Sequence, residues 1–393
     1  MDFDLKEEHR MLKDLVGRFV REQLLPLEPA VLQRDIEGKG VGLTAAEREK
    51  VNARARELGL WGLDAPAEFG GHDLPLEAMI GVAEEIGHTI INYAIPPDSP
   101  NLHMLMAVAT PEQRSRYVEP YARGEMTAAI AITEPGAGAD PSGMITRAEK
   151  QSGGWLLNGR KLWIGRVAEA DFTILMAVTD KAKGARGGIS AFLVDKGTPG
   201  FNVLRQIPMI GGRFTYEIAI EDCRLPDSAL LGKLGEGFGP MQKRLSVRRL
   251  QMGAWCVGMA DRALALMSEH ATQRSTFGVR LADRQAIQWW IADAAIRIHA
   301  SRLMVYDAAW KWDQGRDIRR ELSMIKVFIP EMASEVVDKA MQTFGAMGMA
   351  KEFPLQAMAS MLRWIRVGEG PSEVHRWVVA RGILGEAGAK RVA

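Results

Sequence analysis

Cysteine is nearly absent from this chain, whose 393 residues include only Cys223 and Cys256. Two cysteines allow at most one disulfide and form no metal-type cluster, so a reducing cytoplasm is the simplest compartment. The seven histidines show no ligand spacing, and we therefore assign no metal. Excess charge is also missing, because 50 basic residues stand against 49 acidic ones. Nothing in the bulk charge favours a nucleic acid or an anionic membrane as a partner.

Long apolar runs are missing as well, and no segment is long enough to span a bilayer. The first eight residues, MDFDLKEE, are charged and mostly acidic, unlike a signal or transit peptide. The length allows two or three structural units with a large buried core. Together these features predict a soluble cytoplasmic protein without a membrane partner.

The periodicity of the chain divides it into three stretches. Residues 1–126 carry apolar stripes at three- and four-residue steps, with a capping-box signature from Thr44 to Glu47, and predict an N-terminal helical domain. Residues 127–232 change to strand-like runs between glycine, proline and charge clusters, which predict a central β-barrel or sandwich domain. Residues 233–393 return to helix, without glycine or proline from Val279 to Gln314. Within that stretch one predicted helix face is formed by Ile287, Trp290, Ile291, Ala294, Ile298, Ser301, Val305 and Ala308. We expect a C-terminal four-helix bundle and an α+β fold.

Two local signals make sharper predictions. Trp155 to Trp163 consists of two short apolar runs around Asn158 and Gly159, which predicts a β-hairpin because both turn positions need φ > 0. The stretch from Ala131 to Asp140 places a threonine hydroxyl and several small residues before a predicted strand. Because glycine lacks the Cβ that would block approach, this loop can bring backbone N–H groups against a planar or anionic ligand.

Four segments carry a resemblance to a known family. They are TEPGAG from Thr133, KLWI from Lys161, RSTFG from Arg274 with Gln285, and QTFG from Gln342 paired with EGPSEVHR from Glu369. In this order and spacing the chain resembles the acyl-CoA dehydrogenase family over nearly its whole length, and the α-β-α order agrees with that fold. The GPSEVH ending is most similar to a branch known from large multi-domain mammalian members and many bacterial relatives.

The resemblance implies a cofactor, a reaction and partners. FAD would lie between the β unit and the C-terminal bundle, and an acyl-CoA thioester would be desaturated between Cα and Cβ. The electrons would then pass to an electron-transfer flavoprotein. A homodimer or homotetramer is implied, because the family completes its FAD site with a neighbouring subunit.

Glu369 resembles the catalytic base that removes the Cα proton, the alternative being a glutamate that only meets a helix dipole. A carboxylate can act at neutral pH only if burial raises its pKa and the thioester lowers that of the substrate. Some subfamilies place the base on the helix after the second glycine-rich loop. Here no acidic residue lies between Glu236 and Asp261, a stretch that offers Arg244, Arg248 and Arg249. Glu369 therefore has no rival.

Further residues take roles from the same resemblance. Thr133 resembles the residue that bonds the flavin edge and Trp163 the one stacked beside the isoalloxazine, with plain sheet core as the alternative for Trp163. Arg249 would bind the CoA side, and a surface salt bridge is the alternative. The resemblance assigns cofactor contacts to Thr133, Trp163, Gly165, Arg274, Phe277, Gln285, Gln342, Gly345, Pro371 and Glu373. It assigns substrate contacts to Ala139, Arg249, Gly368 and Gly370.

The chain departs from the family pattern near the substrate. Gly165 stands where threonine or serine is usual, Ala139 replaces a common serine, Ala346 a glycine, Gly368 a tyrosine and Pro371 a threonine. Loss of a tyrosine-sized side chain should open volume, so we expect a bulky, branched or ring-bearing acyl group. Two alternatives stay open. One is a same-fold oxidase, monooxygenase, desulfinase or enoyl-CoA reductase, and the other is a non-catalytic acyl-CoA-binding homologue.

Overall fold

The N-terminal part of the protein is helical, as predicted. The computed structural model describes residues 5–386. A complete capping box begins the third helix, because Thr44 Oγ1 accepts from the Glu47 N–H at 3.2 Å and Glu47 Oε2 accepts from the Thr44 N–H at 2.8 Å. The helices are α1 (Glu7–Phe19), α2 (Glu28–Ile36), α3 (Ala45–Glu57), α4 (Leu76–Ile86), α5 (Ser99–Val108), α6 (Pro111–Gln113) and α7 (Glu119–Ala122).

The middle of the chain forms an eight-stranded sheet with the order β6-β7-β3-β2-β4-β5-β8, and β1 pairs with β4. The pairs β1–β4 and β2–β4 are parallel, and the other pairs of this sheet are antiparallel. The strands are β1 (Ala128–Ala131), β2 (Arg147–Gln151), β3 (Gly154–Ile164), β4 (Phe172–Val178), β5 (Ile189–Asp195), β6 (Phe201–Pro208), β7 (Phe214–Pro226) and β8 (Leu230–Leu231).

The predicted hairpin at Asn158 and Gly159 is wrong, because both residues lie inside the continuous strand β3. The register of β3 against β7 shifts between Leu157 and Gly159, so the pair of residues marks an irregularity in the ladder and not a turn. Glycine is required there for space: a Cβ at Gly159 would lie 2.4 Å from Thr146 Oγ1. A close backbone approach therefore produced the same sequence signal as a turn.

The C-terminal part returns to helix, again as predicted. A short hairpin, β9 (Ser275–Thr276) with β10 (Val279–Arg280), follows the first long helix. The predicted apolar stripe of the next helix is buried at Ile287, Ala294, Ile298, Val305 and Ala308. The helices are α8 (Phe238–Gln273), α9 (Gln285–Asp313), α10 (Arg319–Phe344), α11 (Ala346–Met349), α12 (Pro354–Ile365) and α13 (Ser372–Glu386).

Helix α8 packs against both the N-terminal and the C-terminal helices. Its buried side chains share one apolar core with α1 and α4 on one side and with α9, α10 and α12 on the other. Near its N-terminus, Met241 and Leu245 enter a second core, which joins α5 to the sheet. Within residues 5–386 no helix is both long and apolar enough to cross a membrane.

Candidate active site

Glu369 lies in a short loop between α12 and α13, and its backbone has φ = +57°. Few residues other than glycine adopt this region, so the surrounding structure must hold it. Lys326 Nζ donates to the carbonyls of Ile365 at 2.5 Å and Gly368 at 2.8 Å, and Arg249 Nε donates to the carbonyl of Glu369 at 2.9 Å. Two cations thus fix the backbone of residues 365–369, which we call the base loop.

The cation from α10 is itself deeply buried. Lys326 is 1% exposed, and burial lowers its pKa to about 8. Arg249 is engaged with the base loop through its Nε, and burial lowers its pKa as well. Arg249 therefore supports the backbone of the base loop through the carbonyl of Glu369.

The carboxylate of Glu369 is paired with an arginine of α8. Arg244 Nη1 lies 2.9 Å from each carboxylate oxygen, and the Arg244 side chain is 7% exposed. Burial alone would raise the pKa of Glu369, but Arg244, together with Arg248 and Arg249, holds it below the ordinary value. The expectation of a raised pKa is wrong for the protein without substrate, because the basic residues of α8 reach the base.

A second buried carboxylate joins the three parts of the chain. Asp98, just before α5, is ion-paired with Arg248 of α8 and lies 3.5 Å from Arg166, which follows β3. Arg248 Nη1 also donates to Gln251 Oε1 at 3.1 Å. Burial would raise the pKa of Asp98, but the surrounding guanidinium groups hold it below its usual range. This network connects the loop after Trp163 to the surroundings of Glu369.

The two glycines beside Glu369 have different surroundings. Gly370 has φ = +101°, and a Cβ there would lie 2.8 Å from His375 Nε2, so glycine is needed for conformation and space. At Gly368 a Cβ would lie 3.1 Å from two ring atoms of Trp364. The expected opening at Gly368 is therefore not found, because the Trp364 indole fills the space.

The loop that begins at Thr133 is shaped by a buried ion pair. Glu134 Oε1 lies 2.8 Å from Lys161 Nζ, and the two side chains are 3% and 0% exposed. Glu134 also accepts from the N–H groups of Ile145 at 2.6 Å and Thr146 at 3.0 Å. The Leu162 N–H donates to the Thr133 carbonyl at 2.9 Å. Residues of two conspicuous motifs, TEPGAG and KLWI, are thereby brought side by side.

The surface beside this loop is open and suits a planar ligand. Trp163 has φ = +61° and presents 49% of its surface. Nothing lies within 4 Å of a Cβ built at Gly136 or Gly165, and Gly138 would meet only Thr133 Cγ2 at 3.9 Å. Ala139 is exposed next to them. An aromatic ring beside bare backbone is a cradle that a flavin would fill.

The remaining candidate cofactor residues lie at one end of the C-terminal helices. Arg274, Phe277 and Gln285 lie between α8 and α9 or at the start of α9, and all are exposed, Phe277 by 99%. Exposed Gln342 and Gly345 end α10, where His270 of α8 stacks on Phe344 at 4.1 Å. Pro371 and exposed Glu373 follow the base loop. Among the described residues no hydrogen bond joins this group to Thr133.

A small apolar pocket of about 30 Å³ borders the arginine network. One end is polar and includes Asp98, Arg248 and Gln251. The rest is formed mainly by apolar side chains of α4, the segment before α5, and α8, namely Met79, Val82, Ala83, Ile86, Tyr93, Ile95 and Trp255. Its lining is that of a small-molecule site. Its volume of about 30 Å³ has room for only about two water molecules in this conformation.

A carboxylate on a strained loop and an open backbone cradle beside a tryptophan fit the site of a flavin-dependent oxidoreductase. Profiles of the acyl-CoA dehydrogenase N-terminal, middle and C-terminal domains match residues 6–125, 129–223 and 235–384. The chain is 40% identical to (R)-benzylsuccinyl-CoA dehydrogenase of Thauera aromatica, over 98% of this chain and 97% of the relative. It belongs to the acyl-CoA dehydrogenase family.

Two further comparisons bear on chemistry and cofactor. Acryloyl-CoA reductase (NADH) of Anaerotignum propionicum is 35% identical, over 98% of this chain and 96% of the relative. The solved structure described as PigA with FAD and proline has a TM-score of 0.87 and 28% identity, covering 98% of this chain and 99% of that one. The protein is an oxidoreductase of the CH–CH class, and its cofactor is FAD.

Proposed function

We propose that this enzyme desaturates an acyl-CoA thioester between Cα and Cβ, giving the 2-enoyl-CoA, and that its acyl group is bulky, branched or ring-bearing. The observation that carries this proposal is the base loop, in which Lys326 and Arg249 hold Glu369 in a strained conformation. Strain of this kind clusters at functional sites. The stretch of α8 that carries the base in some subfamilies has no acidic residue between Glu236 and Asp261, so it offers no alternative base.

The roles divide between the base loop and the cradle. Glu369 takes the Cα proton, and its backbone N–H, which has no hydrogen-bond partner among the described residues, polarises the thioester carbonyl. Bound FAD supplies the acceptor for the hydride that leaves Cβ. We assign cofactor contacts to Thr133, Trp163, Gly165, Arg274, Phe277, Gln285, Gln342, Gly345, Pro371 and Glu373, and substrate contacts to Ala139, Gly368 and Gly370.

Two observations support a bulky acyl group. The cavity beside Arg248 is lined by Tyr93, Trp255 and aliphatic side chains, which suit a ring. The relative from Thauera aromatica is named for a benzylsuccinyl thioester. Since Trp364 fills the space at Gly368, such a group would have to enter this pocket by displacing side chains of its lining.

The test is to mix the purified holoenzyme anaerobically with a panel of acyl-CoA thioesters and follow bleaching of the flavin. Ring-bearing thioesters should bleach it faster than butanoyl- or octanoyl-CoA. Glu369→Gln should bind the same ligands without bleaching, while Glu57→Gln, an exposed control on α3, should behave as the wild type. Full bleaching by Glu369→Gln would overturn the base assignment, and fastest turnover of straight chains would overturn the proposed acyl class.

An enoyl-CoA reductase is the second candidate, because the relative from Anaerotignum propionicum is named as an acryloyl-CoA reductase. The same base would then donate its proton to Cα. Dehydrogenation and reduction can be distinguished with enzyme whose flavin has first been reduced chemically, by measuring how fast a 2-enoyl-CoA reoxidises it. Rapid reoxidation by a ring-bearing 2-enoyl-CoA, with slow reduction by the saturated thioester, would favour the reductase.

We also propose a homo-oligomer in the cytoplasm that passes electrons to an electron-transfer flavoprotein. A stripe of large apolar side chains is exposed along α9 at seven-residue spacing: Trp289, Ile296, Leu303 and Trp310 are each at least 40% exposed. Exposed apolar stripes on one helix face are typical of interfaces. A second copy packed on this stripe would cover Phe277 and Gln285 at the same end of α9. The two buried free thiols suit a reducing compartment.

A further inference from the structure

The arginine network beside the apolar pocket holds more positive than negative charge. Arg244 and Arg248 lie four residues apart on α8, so they share a helix face, and their side chains are 7% and 12% exposed. Arg249 contacts the carbonyl of Glu369, so three largely buried guanidinium groups lie around two carboxylates, those of Asp98 and Glu369. Arg166, which is 47% exposed, lies 3.5 Å from Asp98 as well.

The other titratable groups around the cluster add no negative charge that would neutralise the arginines. From α10, Lys326 adds another cation below the base loop. From α13, His375 has a pKa lowered to about 3 by burial and the nearby cations, so it is neutral. Tyr121 of α7 lies near Asp98, and its pKa is raised by burial, so it is also neutral. Buried cations without counter-ions are costly, so this cluster suits an anionic ligand.

The geometry leaves donors for such an anion. Arg244 donates a hydrogen bond from Nε to Asn101 Oδ1 at 3.1 Å, and from Nη1 to the carboxylate of Glu369. Its Nη2 has no hydrogen-bond partner in the part of the chain that the structure describes. One turn further on, Arg248 borders the apolar cavity. A carboxylate at this point could accept a charge-assisted hydrogen bond from Arg244 Nη2, and a second one if Arg244 Nη1 left Glu369.

We propose that Arg244 and Arg248 bind a free carboxylate carried by the acyl group, and that this carboxylate takes Arg244 away from Glu369. The substrate class is then a half-thioester of a dicarboxylic acid. This inference rests on the proposed function, since it concerns the substrate of the same site.

Substrate binding would then activate the base. In the free enzyme Glu369 is neutralised by Arg244, and an ion-paired carboxylate is a weak proton acceptor. Transfer of Arg244 to the substrate carboxylate removes that partner and adds a negative charge nearby. Both changes make Glu369 more basic, and they occur only when the correct thioester is present. Thioesters without the second carboxylate would leave the base paired.

The test compares two ring-bearing 2-enoyl thioesters that differ only in carrying a free carboxylate or its primary amide. The oxidised holoenzyme binds such products without reacting, so calorimetry gives Kd. We expect the wild type to bind the carboxylate about 10- to 100-fold more tightly, the range supplied by a hydrogen bond to a charged group. Arg244→Gln should lose this preference, Arg244→Lys should keep part of it, and Arg320→Gln, an exposed control, should retain it.

Proton uptake gives a second measurement that needs no variant of Arg244. Titrations in buffers of different ionisation enthalpy, between about pH 5 and 6.5, should show uptake when the carboxylate thioester binds and none with the amide. Glu369→Gln should abolish the uptake. Equal affinity for both thioesters without uptake would overturn this inference and leave the proposed function standing. Failure to bind either 2-enoyl thioester, together with no flavin bleaching by the two corresponding saturated thioesters, would overturn both.

Discussion

Lys161 and Glu134 form an ion pair that is closed to solvent, with 2.8 Å between Nζ and Oε1. One residue comes from the TEPGAG loop and the other from β3. Since Lys161 also donates to the Ile132 carbonyl at 3.0 Å, a single ammonium group determines the path of the loop that carries Thr133. The pair therefore links the stability of the sheet to the shape of the flavin cradle.

Lys161→Met should lower the free energy of unfolding by about 3–5 kcal/mol, because it leaves the Glu134 carboxylate buried without its partner. The variant should also bind FAD more weakly, since the loop at Thr133 loses its anchor. Urea unfolding and flavin titration measure the two effects. The double variant Glu134→Gln/Lys161→Met should recover part of the stability.

The exposed pair Lys150 and Asp227 provides the matched control for this experiment. Lys150→Met should change the free energy of unfolding by about 0–1 kcal/mol, as is usual for surface pairs. Equal losses for Lys150→Met and Lys161→Met would contradict the role given to burial.

Lys326→Met should slow the reaction by disturbing the base loop. It removes the hydrogen bonds to the carbonyls of Ile365 and Gly368, of the charge-assisted kind worth about 1.5–3 kcal/mol each. Glu369 then relaxes from its positive φ, and kcat should fall by at least about 10-fold while FAD stays bound. Rapid-reaction flavin bleaching measures the step. Unchanged kcat in a folded, yellow variant would show that the loop needs no such support.

The pH dependence of kcat/KM should reveal the pairing of Glu369. The base must be deprotonated, so activity falls as pH drops through its pKa in the free enzyme. Because Arg244, Arg248 and Arg249 hold that pKa below the ordinary 4.5, activity on a neutral thioester should stay level as pH falls toward that value. Arg244→Gln removes the nearest cation and should move the acid limb to higher pH. An identical limb in both enzymes would refute the assignment.

Gly165→Ser should restore a hydroxyl beside the flavin cradle without harming the fold. Nothing lies within 4 Å of a Cβ at this position, so the thermal midpoint should change little. Flavin absorbance and reduction potential should shift if the new hydroxyl contacts the ring. Gly159→Ser is the contrasting case, because its Cβ would meet Thr146 Oγ1 at 2.4 Å, and it should lower the midpoint.

Ile296→Asp should disrupt the homo-oligomer. The residue is 66% exposed and lies in the middle of the α9 stripe, so a carboxylate there costs little in the monomer but would be buried at an interface. Sedimentation should show a smaller species, with weaker FAD binding if a neighbouring copy completes the site. Met11→Asp, at a 63% exposed apolar side chain on α1, serves as the control for added charge. Unchanged mass for Ile296→Asp would exclude the stripe as an interface.

Much of the architecture follows from patterns that the sequence displays directly. The capping box at Thr44 and the apolar stripe of α9 are local signals, and both appear as predicted. The hairpin predicted at Gly159 was wrong because glycine is favoured both in a turn and where two backbones approach closely. Only the tertiary neighbour Thr146 distinguishes the two cases. Trp364 likewise fills the space at Gly368, which no local pattern shows.

The charges around Glu369 were only partly accessible from the sequence. The absence of acids between Glu236 and Asp261 pointed to a basic stretch of α8, but not to a pairing with Glu369. Lys326 gave no signal beyond a lysine within an apolar stretch of α10, and its role depends on carbonyls about 40 residues away in sequence. Such long-range contacts are fixed by helix packing, which sequence periodicity does not specify.

Asp98 gives the protein a mechanical property that goes beyond catalysis. Its carboxylate is held by arginines from both other parts of the chain, Arg248 of α8 and Arg166 beyond β3. If the N-terminal, middle or C-terminal part separated from the other two, the charged side chains of this network would lose their partners. The three units are therefore not independent modules, and the arrangement favours a single cooperative melting over stepwise release. The charge cluster to which we assign substrate binding therefore also connects the three parts of the chain.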